Sequence, residues 1–165
     1  MRWEYCSRLE SANARSLSGE RAYTLKPFYR GTKITVIGAI TNQGILAMQT
    51  ISGSMNGDDF RNFIQNKVVP KLKPSKVLVL DNLPAHKVKG IEEMITATGA
   101  RVEYMSPYSP DFNPIEMLWS QLKAFLRSFA PKTLETIDKL LNIAILLSFP
   151  QHFQNWFTYC CYCTS

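Results

Sequence analysis

Lys76-Val77-Leu78-Val79-Leu80-Asp81 is the stretch on which the fold turns. An unbroken apolar run of this kind has the composition of a central strand covered on both faces, and Asn82-Leu83-Pro84 ends it. The strand therefore delivers a carboxylate, Asp81, at its carboxyl end.

The neighbouring elements follow by their periods. Upstream, Ile34, Val36, Ile37 and Ile40 lead to the turn Asn42-Gln43-Gly44 and on to Ile45-Leu46-Ala47-Met48, the pattern of an antiparallel hairpin. Ser54-Met55-Asn56-Gly57-Asp58 supplies a turn and cap. Phe60, Phe63, Ile64 and Val68 then mark one helical face up to Pro70. Asp58 and Asp59 fit the amino terminus of that helix better than a metal site. Downstream, His86 to Thr98 reads as a helix with Val88, Ile91 and Ile95 inward, stopped by Gly99, and Arg101 to Met105 alternates as a short strand. After Asp111-Phe112-Asn113-Pro114, a long helix carries Ile115, Leu118, Trp119, Leu122, Phe125, Leu126 and Phe129 on its core side, with Asn113 suited to cap it. Thr133 to Leu147 reads as another apolar helix. Phe153, Trp156, Phe157, Tyr159 and Tyr162 form an aromatic tail expected to dock on the core. Residues 1–32 carry no strand or helix period and are expected to be irregular. The order predicts one α/β domain over residues 1–165, a mixed sheet flanked by helices.

Composition sets bounds. The 165 residues are 45% hydrophobic, enough for a sizeable core, and 19 Lys and Arg outweigh 13 Asp and Glu to give a net charge of +6. That balance suits a polyanionic partner without requiring one. Cys160, Cys161 and Cys163 crowd the carboxyl end, and with Cys6 they lack zinc-site spacing, so they read as reduced, partly buried thiols. No leader pattern opens the chain, and its longest apolar stretch, Leu140 to Phe149, is interrupted by Asn142 and Ser148. A soluble, cytoplasmic protein with no membrane partner is expected.

Asp81 pairs in chemical sense with Glu116, which opens the long helix, 34 residues intervening. Two carboxylates held on rigid elements could share a Mg2+ or Mn2+ ion, because hard cations take oxygen ligands. Lys123 and Arg127 fall on nearly the same helical face as Glu116, as on an active-site rim along which DNA could run. An ordinary solvated face is the other reading of those two cations.

At these residues a resemblance emerges. Leu80-Asp81-Asn82-Leu83-Pro84-Ala85-His86-Lys87 and the segment Ser106-Pro107-Tyr108-Ser109-Pro110-Asp111-Phe112-Asn113-Pro114-Ile115-Glu116-Met117-Leu118-Trp119 closely resemble the second and third catalytic blocks of bacterial insertion-sequence transposases of the mariner superfamily. The likeness runs from Gly19-Glu20-Arg21-Ala22-Tyr23 through Gly53-Ser54-Met55-Asn56 to Trp156-Phe157. It implies a ribonuclease H-like catalytic core in which two aspartates and a glutamate bind two divalent metals for DNA cleavage and strand transfer. Carried over by position, Asp81 is the second carboxylate and Glu116 the third. Asn82, His86, Lys87 and Asn113 stand in the same blocks, as groups that orient the ligands or contact DNA. The implied partners are transposon ends and target DNA, a second copy of the chain, or an intact transposase, with the protein on the bacterial nucleoid when bound.

One departure from the family pattern bears on activity. The first aspartate should lie on the first strand of the sheet, a short way before Gly19, yet no Asp occurs before Asp58. Glu4, Glu10 and Glu20 are the acidic residues of that region, none on a recognisable strand. The chain is thus expected to begin after its first strand, without the family's upstream helix-turn-helix module, and to be impaired in catalysis. A non-catalytic DNA-binding or oligomerising regulator of an intact transposase is the rival expectation.

Overall fold

The computed structural model describes residues 2–6, 33–82, 86–107, 109–129, 131 and 133–162, with the backbone alone for 2–6. Two sheets form among these residues. β1 (Arg2–Cys6), β2 (Lys33–Thr41) and β3 (Gly44–Ser52) are antiparallel in that spatial order. β4 (Val77–Leu80) pairs in parallel with β5 (Arg101–Tyr104), Leu80 opposite Tyr104. The hairpin β2–β3 sits where the alternation predicted it, with Thr41 opposite Gly44 and a bulge at Ala39/Ile40.

β1 corrects the sequence reading. Residues 2–6 are a strand, in register from Arg2 opposite Ile37 to Cys6 opposite Lys33. Trp3 and Tyr5 alternate with Arg2 and Glu4, a period-2 pattern too short to be read on its own, and the pairing with β2 completes it. Glu4 is therefore on a strand, opposite Thr35. Glu10, Glu20 and the Gly19–Tyr23 motif lie outside the described residues.

Helices cover both sides of β2. α1 (Gly57–Phe63) begins at a reciprocal cap: Asn56 Oδ1 accepts the Asp59 N–H at 2.8 Å and the Asp59 carboxylate accepts the Asn56 N–H at 3.0 Å. Asp59 is thus a capping residue, as its position suggested. A wider turn over Ile64–Val68 and a tighter one over Val69–Lys71 carry the chain past Pro70. α2 spans only Ile91–Thr96, shorter than the predicted His86–Thr98. Gly90, at φ +92°, occupies the cap position in a left-handed conformation that breaks any helix begun at His86. α3 (Pro114–Phe129), α4 (Leu134–Leu146, capped by Thr133) and α5 (Pro150–Tyr159) complete the chain.

Two cores result. Ile34 and Val36 of β2 face α3, α4 and α5, packing with Trp119, Leu122, Leu126, Ile137 and Phe153. Ile37 faces the other way, with Phe60, Phe63, Val68, Leu80, Ile91 and Ile95. Of the predicted stripe of α3, Ile115, Leu118, Trp119, Leu122 and Leu126 are buried, Phe125 is half-buried and Phe129 is exposed. Tyr159 likewise faces solvent while Phe153 and Trp156 dock. β4 departs from expectation too. Leu80 is buried, but Val77 and Val79 are about 40% exposed (43% and 39%), so this strand is not covered on both faces by the described residues. No described helix is long and apolar enough to cross a membrane.

Candidate active site

Asp81 leaves the end of β4 with its side chain 21% exposed, and His86, fully buried, lies against it through a contact of Nδ1 with Asp81 Oδ1. The imidazole is held from behind by Phe60, whose ring stacks on it at a centroid distance of 4.1 Å. The Tyr104 hydroxyl reaches the His86 carbonyl at 3.5 Å. A buried imidazole against one carboxylate oxygen fixes the orientation of that carboxylate, the service that groups behind a metal ligand perform. His86 thus lies against Asp81 rather than opening an α-helix, and its Nε2 is buried with no hydrogen-bond partner among the described residues.

Glu116 occupies the first turn of α3, where its N–H donates to the Asn113 carbonyl at 3.0 Å. Pro114 and the preceding turn over Pro110–Phe112 fix the entry into the helix. Asn113 is itself buried, and the Cys160 thiol donates to the Asp111 carbonyl at 3.4 Å, tying the end of α5 to this loop. Burial pushes the Cys160 thiol above its ordinary pKa, as for a packed residue rather than a reactive one. Cys161 is exposed.

The electrostatics join the two carboxylates. Burial raises the pKa of Glu116, the Lys123 ammonium lowers it, the Asp81 carboxylate raises it and the amino-terminal charge lowers it, with a net rise. Asp81, Glu116 and Lys123 therefore share one field, and Lys123, half-buried about two turns along α3, answers the negative charge there. Arg127 is exposed further along the same helix. Lys87 is exposed beside Asp81's segment, its ammonium 5.7 Å from the centre of the Tyr104 ring, and Asn82 is half-buried next to Asp81. Phe60 and Tyr104 were not anticipated as parts of this region. The parallel pairing of Leu80 with Tyr104, which sets Tyr104 beside the end of β4, has no signature in either strand alone.

The raised pKa has a consequence for stability. A carboxyl whose folded pKa lies above its unfolded one favours folding below the unfolded value and disfavours it as pH rises through the folded value. Glu116→Gln should therefore melt modestly higher than the parent at neutral pH, the effect being muted by solvent screening of this half-exposed group. The difference should vanish in acid, where Glu116 is protonated in both states. Melting curves between acid and neutral pH check this, and a gap that is constant across that range would contradict it.

Two carboxylates of opposite elements, one braced by His86 and the other balanced by Lys123, are a donor set of hard oxygens that fits a divalent metal such as Mg2+ or Mn2+. Among the described residues no group of three or more His, Cys, Asp or Glu side chains could hold a metal together.

Comparison with known proteins gives the family. Residues 5–138 match the family model described as DDE superfamily endonuclease. No curated protein sequence matches the chain. Among solved structures, the Mos1 transposase paired-end complex with left transposon end is similar at a TM-score of 0.78 and 14% identity, over 97% of this chain and 50% of that one. The catalytic domain of Mos1 mariner transposase is similar at a TM-score of 0.66 and 16% identity, over 81% of this chain and 72% of that one. The Mos1 mariner paired end complex with Mn gives 0.70 and 15%, over 96% and 51%. The chain thus spans about half the length of the full transposase it resembles, and at these identities the likeness establishes the fold, a mixed α/β arrangement of the ribonuclease H-like kind. With the family model matched over most of its length, the chain belongs to the DDE superfamily endonucleases.

Proposed function

We propose that residues 1–165 are the catalytic domain of a bacterial insertion-sequence transposase of the mariner superfamily, with a two-carboxylate remnant of its metal site. The observation that carries the reading is the shared field of Asp81 and Glu116, on the two motif blocks that name them. The Mos1 structures, described as complexes with transposon ends, with Mg and with Mn, support a DNA partner and a divalent metal. When bound, such a metal acts as a Lewis acid on the attacking water or DNA 3′ hydroxyl and on the leaving oxygen. This chain's own contribution is to hold: Asp81 and Glu116 supply oxygen ligands, His86 orients Asp81, and Asn113 fixes the turn from which Glu116 projects. Lys87, Lys123 and Arg127 lie on the solvent side of this region and would meet phosphates, with Asn82 beside Asp81.

The family's first aspartate has no counterpart among residues 1–57, so catalysis should be weak, because charge on the transferring phosphate is then incompletely balanced in the transition state. With Mn2+, the purified chain should nick supercoiled DNA slowly, and Asp81→Ala or Glu116→Ala should remove that activity. Nicking that survives both substitutions would put the activity elsewhere. No nicking by a cooperatively folded wild-type chain would favour the second reading, a DNA-binding or oligomerising regulator that joins an intact transposase without cutting. The departure of the sequence from the family pattern, with no Asp before Asp58, is the observation that favours it.

The cations separate binding from chemistry. Lys123→Ala and Arg127→Ala should each weaken duplex binding regardless of sequence and reduce the slope of log affinity against log salt by about 1. Slopes equal to the parent's would make them surface charges with no phosphate contact.

A further inference from the structure

We propose that Arg61 is a positioning residue for Asp81: from α1 it pins residues 86–90, and through His86 that segment sets the direction in which the Asp81 carboxylate points. Arg61 belongs to neither of the two motif blocks, and its role comes from the way α1 meets the connection between β4 and α2.

Three residues of α1 touch that connection, and their spacing of three and four puts them on one side of the helix. Gly57 lies so close to Val88 that an added Cβ would come within 2.7 Å of Val88 Cγ2. About a turn further on, the Phe60 ring stacks on the His86 imidazole at 4.1 Å. Beside it, the half-buried Arg61 donates from Nη2 to the Lys89 carbonyl. α1 is itself fixed at its start by the reciprocal cap of Asn56 and Asp59, so these contacts come from a firm base.

Of the three, Arg61 makes the directional contact. Gly57 and Phe60 supply fit and apolar area, which leave a loop free to slide. A guanidinium N–H on a carbonyl holds a peptide by angle as well as by distance. The peptide held here joins Lys89 to Gly90, whose φ of +92° turns the chain into α2. With that end tied, His86 is kept between the Phe60 ring behind it and the Tyr104 hydroxyl, 3.5 Å from its carbonyl. Its Nδ1 then meets Asp81 Oδ1 from a fixed direction. Outer partners that orient a ligand in this way tune metal affinity without touching the metal. The inference rests on the reading of Asp81 as a metal ligand, although the contacts from Arg61 to Asp81 need no metal to form.

The test compares the full chain with Arg61→Met, which keeps the stem and removes the donors, and Arg61→Lys, which keeps a donor. Gly57→Ala, which presses on Val88, disturbs the same segment through a second contact. Nuclear magnetic resonance of metal-free protein reads the ring protons of His86, one of two histidines in the chain, and calorimetry reads the dissociation constant of Mn2+. Arg61→Met should move the His86 ring protons away from the shifts that the Phe60 ring imposes and weaken Mn2+ binding by about 10-fold. Arg61→Lys should recover most of both, and Gly57→Ala should fall between the parent and Arg61→Met. His86 signals unchanged in Arg61→Met and in Gly57→Ala would overturn the proposal. So would altered signals with Mn2+ bound as tightly as by the parent, which would make Arg61 a structural tie alone. Asp81→Ala separates the proposal from the reading beneath it. Equal Mn2+ binding by that variant would end the reading of Asp81 as a ligand; altered His86 signals in Arg61→Met would then still support the tie from Arg61 to Asp81, and unaltered ones would end that too.

Discussion

Saturating Mn2+ should raise the melting temperature of the wild-type chain by about 5 to 10 °C and leave Asp81→Ala and Glu116→Ala close to their metal-free values. The size follows from linkage: a ligand at 100 times its dissociation constant, binding the folded state alone, adds about 2.7 kcal/mol, and each kcal/mol moves the midpoint of a chain this long by about 2–4 °C. The direction follows from the site. Burial, ahead of the smaller Asp81 contribution and against the Lys123 ammonium, holds the Glu116 pKa up, so its carboxylate is left poorly solvated beside a second one. A divalent cation answers both. Because protons compete for Glu116, the metal-induced shift should shrink as pH falls through its raised pKa. A shift of the same size in both variants would assign the metal to other residues. No shift in the wild type would mean that Asp81 and Glu116 do not hold a cation between them.

Trp119→Ala should cost about 3–5 kcal/mol, the range for removing a fully buried aromatic side chain, and lower the melting temperature by about 6–20 °C. Trp119 is 1% exposed and stands between α3 and β2. Its fit there depends on Gly38, where an added Cβ would come within 2.8 Å of the Trp119 Cη2. Gly38→Ala alone should therefore destabilise by about 1–3 kcal/mol, as overpacking against a rigid ring does. The double variant should lose less than the sum, because removing the indole opens the space that the alanine needs. Coupling of about 0.5–3 kcal/mol measured in a double-mutant cycle would bear this out. Strict additivity would show that the indole and the glycine do not pack as a unit. The consequence reaches the site, since Trp119 lies one turn after Glu116 and anchors the helix that projects it.

The chemistry of the site was more legible in the sequence than its architecture. Asp81 and Glu116 could be found because an apolar run and a Pro-led helix start each announce their ends locally. The pairing of β1 with β2 could not, since Arg2-Trp3-Glu4-Tyr5-Cys6 becomes a strand through a partner more than 25 residues away. The short α2 was misjudged because its apolar period continues back to Val88 across a left-handed Gly90. Exposure of Phe129 and Tyr159 follows from helices that outrun the core beneath them. His86 was recognised as a neighbour of Asp81, but the stacking of Phe60 behind it depends on α1 meeting β4's end, which no local pattern encodes.

β2 has five consecutive buried residues, Ile34 to Gly38. A strand that faces solvent on one side can accept change at every second position, whereas this one is constrained on both. Its Ile34 and Val36 answer to the helices α3, α4 and α5, and its Ile37 to α1 and α2. In descent, then, β2 should be the slowest-changing part of the chain, drifting less than the paired strands beside it. A random library across residues 33–52 would return sequences close to the parent in β2, while the outer strand β3, half-buried along most of its length, would return many.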